Sequence, residues 1–287
     1  CEQDRRSACL TLFGHVFPMH DFANSKYVIL WGMNMLGANQ GLWESRALIE
    51  ARKRGCKLVV IDPAFTETAQ KANEWIPIRP GTDGAMALAM CQVIIEENLY
   101  DKNFVTKYCV GFDGFKEHLR QHGYTPEWAE TICGVPASTI QRLAREFALT
   151  KPSMSAIFKG SGYYTNGADA GRACYILDAL CGQVDQPGNI NLKDWAPLHN
   201  PVEIPESAKG KAGHPALHIA MGYPLAPDLP NARLPQAVLE SNPYPVKALW
   251  VHATNPVMSD PNREKVQQMF AALELAVACE LYMSETA

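Results

Sequence analysis

Two short, wholly apolar, β-prone runs, "YVILW" at 27–31 and "KLVVID" at 57–62, are separated by a single amphipathic stretch. Runs of this length without alternation read as strands buried on both faces, closed here by Gly32 and Pro63. Between them "LWESRALIEARKRG" reads as a helix. Trp43, Ala47 and Ala51 recur at i+4, basic residues crowd the last turn, and Gly55 stands where a C′ stop belongs. Strand, helix and strand within about 35 residues form a βαβ unit, which requires parallel pairing and a right-handed crossover. The expected fold class is therefore α/β: doubly wound, mostly parallel Rossmann-like sheets with helices on both faces.

The rest of the chain extends this frame. "EWIPI" (74–78) is a weaker third strand that Pro77 confines to an edge or a strand end. Next comes "RPGTDGAMALAM", a turn into an alanine-rich helix. Three further helices are predicted, one from Asp101, one with Thr125 as N-cap and Pro126 at N1, and one over "PASTIQRLAREFAL" (136–149). "SMSAIF" (153–158) returns to strand, "KGSGYYTNG" reads as a glycine-rich loop, and "ADAGRACYILDALCG" (168–182) as a helix. Eleven of the 20 prolines then fall between 187 and 245, a long irregular stretch of the kind that binds something or wraps a neighbour. Regular pattern resumes with strand "KALWV" (247–251), loop "HATNPVMSD", a helix opened by Asp260 and Pro261, and strand "LELAVAC" (273–279). Two domains are expected, 1–182 and a partial second one over 183–287.

Polar and glycine residues concentrate where strands end: "GMN", "DPAFTET", "RPGTD", "GSG", "HATNP" and "ELYMSE". In open parallel α/β sheets the carboxyl ends of the strands line a common crevice where ligands bind. Six such ends carrying small or hydrogen-bonding residues point to an extended, nucleotide-like ligand. Each piece alone has a plainer reading. Asp62 either meets a ribose hydroxyl or makes an Asx-turn before Pro63. Asp83 either accepts two N–H donors from a guanine edge, or is the N-cap of a helix starting at Gly84.

Several function classes are excluded or unsupported. A net charge of −4 with no basic block gives nucleic-acid phosphates nothing to bind. No apolar run approaches the ~20 residues of a membrane span, and "CEQDRRSACL" lacks the apolar core of a signal peptide. No GxGxxG or GxxxxGK[ST] supports an NAD or Walker-type site, and "GSG" lacks the GxSxG elbow. Nine cysteines, at 1, 9, 56, 91, 109, 133, 174, 181 and 279, form no CxxC, so most read as buried free thiols. His15, His20 and His252 lie near candidate loops, but no HxxxH or HExxH spacing joins them into a zinc site. The chain opens on Cys1 and closes on "CELYMSETA", and it is read as the central part of a longer protein.

The ordered set "LWGMN", "VVIDPAFTETAQKANEWIPIRPGTDGAMALAM", "VIIEENLYDKNFV", "GVPASTIQRLAREFA", "LCGQVDQPGNIN" and "HATNPVMSDPN" resembles the molybdopterin oxidoreductases of the dimethyl sulfoxide reductase type. "DFANSKYVILWGMN" and "VKALWVHATNPVMSDPNR" are most similar to the thiosulfate and polysulfide reductase catalytic subunits. Formate dehydrogenases, arsenate reductases and acetylene hydratase share the framework.

The resemblance implies two molybdopterin guanine dinucleotides holding molybdenum or tungsten, and a parent enzyme of bacterial anaerobic respiration that reduces a sulfur oxyanion or polysulfide. Cys1 stands thirteen positions before Gly14, similar to the spacing of the metal-ligating cysteine, with Cys9 as its competitor. Trp31, Gly32, Met33 and Asn34 match the first dinucleotide loop. Asp62, Pro63 and Thr66 match a segment near a guanosine, and Gly81, Thr82 and Asp83 the guanine-recognition turn. Gly160, Ser161, Gly162 and Tyr163 match a loop beside the pterin; Asn255, Cys279 and Glu280 match positions on the second dinucleotide. Arg172 aligns with an arginine near the metal that would hold an anionic substrate; its plainer reading is a surface helix arginine.

The resemblance further implies a 4Fe-4S cluster in an N-terminal region, an iron–sulfur electron-transfer subunit, a membrane-anchor subunit and a periplasmic, outer-face location. This sequence departs from the pattern at Ala64, where the family's "DPR" reads "DPA". Two other readings stay open: a hydratase on the same cofactor, and a cofactor-free folded scaffold.

Overall fold

The computed structural model describes residues 3–16, 18–38, 41–162, 164, 166–192, 217–221, 233–260 and 262–287. The chain divides into two compact units, Glu2–Leu198 and His199–Ala287.

In the first unit, α1 (Gln3–Phe13) leads to β1 (Met19–His20) and, through a short 3-10 turn, to β2 (Tyr27–Trp31). α2 (Leu42–Lys53) crosses over to β3 (Lys57–Ile61), and α3 (Glu67–Gln70) to the short β4 (Glu74–Ile76). Five helices follow: α4 (Asp83–Glu96), α5 (Lys102–Tyr108), α6 (Phe112–His122), α7 (Pro126–Cys133) and α8 (Ala137–Leu149). The chain then forms β5 (Ser153–Ile157), the single turn α9 (Lys159–Gly162), α10 (Gly167–Leu180) and β6 (Ile190–Asn191).

β2, β3, β4 and β5 make one parallel sheet in the order β4-β3-β2-β5. The chain winds one way from β2 to β4 and then returns to the far side of β2 for β5. The fold is thus doubly wound, with helices on both faces and its switch point between β2 and β5. The strands end flush, Trp31 opposite both Ile61 and Ile157, and Ile61 opposite Ile76. β2 and β5 are buried along their whole length, as the unbroken apolar runs require. At the opposite edge of the sheet, Lys57, Arg142, Glu74 and Glu146 form an ion-pair network that ties β3 and β4 to α8. Tyr27 Oη donates to Glu146 over 2.9 Å and joins it.

Local signals set most boundaries. Asp101 accepts from the Phe104 amide (3.0 Å) and opens α5, and Thr125 accepts from the Trp128 amide (3.2 Å) with Pro126 at the first position of α7. Gly55, at φ +100°, stops the chain just past α2. Several expectations need correction. The helical region after Asp101 is four helices, because Gly111, in the left-handed region at φ +82°, separates α5 from α6. The inward face of α2 is Ser45, Leu48 and Ala51, while Trp43 is 57% exposed. The "KGSG" segment is a helical turn and not an open loop. The two-residue antiparallel pair of β1 with β6 carries no local signal and was not expected.

The second unit contains α11 (Leu217–Ala220), α12 (Leu234–Glu240), β7 (Ala248–His252), α13 (Pro256–Ser259), α14 (Arg263–Ala272) and β8 (Leu275–Cys279). β7 and β8 pair in parallel around a small core of Val238, Val257, Val266 and Met269. α14 is capped by Asn262, which accepts from the Lys265 amide at 3.3 Å, two residues later than the expected start at Asp260 and Pro261. Most of the proline-rich 187–245 segment lies outside the described residues; α12 falls within it. The six polar strand ends accordingly divide into four on the larger sheet and two on the smaller.

Candidate cofactor-binding site

Flush strand ends bring Gly32, Asp62 and Phe158 to one level above the four-stranded sheet. At the switch point the chain after β2 touches the chain after β5, backbone against backbone. The Gly160 amide donates to the Gly32 carbonyl (3.2 Å), and the Gly32 amide donates to the Ile61 carbonyl (2.9 Å). Gly32 sits at φ +55°, and a Cβ there would lie 2.9 Å from the Gly160 Cα and the Ser161 amide. Only glycine allows this approach. Ser161 is buried, and Arg5, on the first turn of α1, lies with its guanidinium 5.0 Å from the Phe158 ring centre. The start of α1 is thereby held at the carboxyl end of β5.

The loop after β2 is joined to the loop after β3 by Asn34. Its Oδ1 accepts from Thr68 Oγ1 (2.9 Å), and its Nδ2 donates to Glu67 (2.8 Å). Thr68 Oγ1 in turn accepts from the Leu36 amide at 3.0 Å. Thr66 caps α3 by accepting from the Ala69 amide (3.2 Å), and Pro63 is exposed beside Asp62. Trp31 and Met33 turn inward; the Trp31 indole is fully buried and donates to Ser155 Oγ at 2.9 Å.

Asp62 and Asp83 meet above β3 and β4. Asp62 makes the Asx-turn, Oδ1 accepting from the Ala64 amide at 2.8 Å, and burial raises its pKa against the pull of that bond. Asp83 is not the cap of α4. Thr82 occupies the N-cap position with its hydroxyl donating to the Arg79 carbonyl (2.7 Å), and Asp83 is the first helical residue. Among the described residues no other side chain or amide donates to the Asp83 carboxylate, although it is only 5% exposed. Burial first, and the like charge of Asp62 after it, push its pKa up to about 6, while its own amide pulls the other way. A buried carboxylate with few donors is costly, and here two such carboxylates also repel each other.

The turn bearing Asp83 is clamped by the segment that leads into α10. Asn166 Nδ2 donates to the Gly81 carbonyl (3.0 Å), and Gly81, at φ +78°, lies under the Tyr164 ring. A Cβ on Gly84 would lie 3.0 Å from the Ala170 Cα, so the first turns of α4 and α10 stand side by side. Two helix N-termini then lie next to each other, an arrangement that suits a phosphate group.

Other expected residues fall elsewhere. Arg172 is on the exposed side of α10 and pairs with Asp169 at 3.5 Å, three residues before it. Cys9 is fully buried in the core, and desolvation, outweighing the opposing influence of Arg5, raises its thiol to about 12. Cys1 and Tyr163 lie outside the described residues.

In the second unit, Asn255 and Cys279 come together at the carboxyl ends of β7 and β8. Asn255 donates to Glu285 (2.7 Å) and accepts from Thr286 Oγ1 (2.7 Å), and the Cys279 carbonyl accepts from the Ala253 amide at 3.2 Å. Glu280 is half-buried, and its carboxylate accepts from the Leu281 amide at 3.2 Å. The partners that sequence reasoning missed are Thr68, Tyr164 and Asn166; only the polar character of their loops hinted at them.

A glycine cradle at the switch point, paired helix N-termini and a donor-seeking buried carboxylate fit a dinucleotide. The chain belongs to the molybdopterin oxidoreductase family, whose sequence model matches residues 8–287. It is 30% identical over 302 residues to the thiosulfate reductase molybdopterin-containing subunit PhsA of Salmonella typhimurium, a match covering 100% of this chain and 39% of that protein. It is 32% identical over 269 residues to the probable oxidoreductase YoaE of Bacillus subtilis, covering 92% of this chain and 37% of YoaE. Among solved structures, the acetylene hydratase from Pelobacter acetylenicus superposes with a TM-score of 0.77 at 30% identity, over 97% of this chain and 41% of the hydratase. The chain therefore spans about two fifths of the length of these relatives. Membership implies a molybdenum- or tungsten-pterin cofactor. Among the described residues, no helix is long and apolar enough to cross a membrane.

Proposed function

We propose that this chain forms the dinucleotide-holding frame of an enzyme carrying molybdenum or tungsten on molybdopterin guanine dinucleotide. The parent enzyme is assigned the two-electron reduction of a sulfur compound, thiosulfate or polysulfide, with transfer of an oxygen or sulfur atom. The observation that carries the proposal is Asp83: a buried carboxylate whose donor is its own amide, set beside a second carboxylate in a glycine-lined turn. A guanine edge presents adjacent N–H donors, and a carboxylate only accepts, so the two are complementary.

Each residue then has a task. Asp83 reads the base. Asp62 keeps one oxygen for the Ala64 amide and has the other for a ribose hydroxyl. Gly32 and Gly160 let the chains after β2 and β5 touch, and this contact forms the floor beneath the ligand. The amides at the starts of α4 and α10 attract the pyrophosphate. Gly162, Tyr163 and Ser161 flank the pterin, Asn255, Cys279 and Glu280 serve the second dinucleotide, and Arg172 holds an anionic substrate. Cys1 provides the thiolate ligand, a soft donor suited to a redox-active metal. Metal and pterin, when bound, supply the redox chemistry, and the protein contributes binding, orientation and electrostatics.

The similarity to a thiosulfate reductase subunit supports this substrate class. It also supports an iron–sulfur cluster elsewhere in the parent, an iron–sulfur partner subunit, a membrane-anchor subunit and an outer-face location. The similarity to acetylene hydratase favours one second reading, hydration on the same cofactor without an electron chain. The test is metal analysis of the full-length protein, combined with thiosulfate- or polysulfide-dependent oxidation of a reduced dye. Molybdenum or tungsten with dye oxidation is expected. Metal with acetylene hydration and no dye oxidation would transfer the assignment to the second reading, and absence of both metals would overturn the proposal.

A further inference from the structure

His118 and His122 belong to none of the loops above, yet they carry the four-residue spacing that His15, His20 and His252 lack. On α6 that spacing puts them one turn apart on the same face, and both are exposed, while Leu119 is the buried residue of the helix. Their ring centres are 4.2 Å apart, with the planes inclined at 43°. His122 Nδ1 lies 2.9 Å from the His118 carbonyl oxygen. A carbonyl only accepts, so Nδ1 carries the hydrogen, which leaves Nε2 as the nitrogen that can bind a metal. Metal-binding imidazoles are commonly oriented by such a bond. Tyr124 stacks on His122 (5.5 Å between centres, 13° between planes) and lies 5.6 Å from His118, and it is backed by Trp128 at 4.7 Å. The two imidazoles are therefore restrained on one side.

We propose that His118 and His122 chelate one divalent transition-metal ion of the zinc, nickel or copper class. Two imidazoles on one ion, with metal–nitrogen bonds of about 2.0–2.1 Å, bring their ring centres to roughly 4.5–5 Å, close to the separation of this pair. Nitrogen donors select these ions over calcium and magnesium, which require oxygen. Glu117 is engaged by Arg120 and Gln121 (2.7 Å each), and among the described residues no group of three His, Cys, Asp or Glu forms a metal cluster. Water completes the coordination. The bound ion cross-links one turn of α6 and stabilises the helix.

The test is calorimetric titration of the 287-residue chain, its thiols alkylated, with Zn2+, alongside electron paramagnetic resonance of the Cu2+ complex. The variants are His118→Gln, His122→Gln, the double variant and, as control, His252→Gln. One ion per chain is expected, with affinity at least about tenfold lower in each single variant and unchanged in the control. The Cu2+ spectrum should show two nitrogen donors in the unmodified chain and one in each single variant. A Zn2+-dependent rise in Tm absent from the double variant gives an independent readout. Equal affinity in the unmodified chain and the double variant, or binding only at millimolar concentration, would leave an adventitious ion only and overturn the proposal.

Discussion

Asp83 shows how one residue can be poor for stability and useful for binding. Its folded pKa, raised to about 6 from an ordinary 3.8, lies above the unfolded value. The group's favourable contribution is therefore complete below pH ~4 and is lost as pH rises through about 6. At neutral pH the apoprotein carries a buried charge that it would be more stable without. Asp83→Asn should leave the Tm of cofactor-free protein unchanged near pH 4 and raise it above pH 6, by at most about 3 kcal/mol of stability. A pH series of thermal melts checks this, and a variant that is less stable at pH 7.5 would refute the assignment of a strained carboxylate. Reading Asp83 as a helix cap was reasonable from "GTDG" alone. Resolving it required knowing that Thr82 takes the cap position and that Asp62 stands opposite.

At the scale of elements, β5 is the informative case. Among the described residues it is the outer strand of the sheet beside β2, and its outward-facing amides have no strand to pair with. Two side chains substitute: Asp178 Oδ1 accepts from the Ser155 amide (2.9 Å), and Gln183 Oε1 from the Ser153 amide (3.0 Å). Asp178 is fully buried on α10, and desolvation pushes its pKa up against the pull of the Ser155 amide. An edge strand capped in this way resists pairing with a foreign chain. Asp178→Ala strands a buried amide and should cost about 1–3 kcal/mol in urea unfolding, whereas Asp178→Asn, which keeps an acceptor, should cost much less. Equal losses would show that packing, and not the amide, sets the role of Asp178.

Elements were legible in the sequence where their signals are local. Asp101, Thr125 and Gly55 mark real boundaries, and "YVILW" and "SMSAI" are real strands. What was not legible depends on distant partners. The pairing of β1 with β6 joins residues about 170 apart, and Trp43 is exposed because the sheet receives Leu48 and Ala51 from the same helix.

On the scale of the whole molecule, the two units differ in how much apolar surface they close. Among the described residues, the first buries one extensive core across β2, β3, β5, α4 and α10, and the second a core of four residues beneath a two-stranded parallel sheet. Trp250 and Leu275 on that small sheet are 68% and 57% exposed. Amide exchange reports local opening, so the β7 and β8 amides should exchange at least about tenfold faster than those of β2; equal protection would contradict this ordering. The candidate site was legible in outline because strand-end residues are contiguous in sequence. Its clamps, Asn34 to Thr68 and Asn166 to Gly81, were not, because each joins two loops that meet only in the folded chain.

The central claim is that the turn at Gly81–Asp83 holds a guanine nucleotide. Acid hydrolysis of purified full-length protein, followed by chromatographic measurement of the released nucleotide, tests it most directly. Guanosine monophosphate should appear in proportion to molybdenum or tungsten. In Asp83→Ala it should fall in line with an affinity loss of about tenfold or more, as expected when hydrogen bonds to a charged acceptor are removed. A different base, or equal guanosine monophosphate in both proteins, would contradict the account.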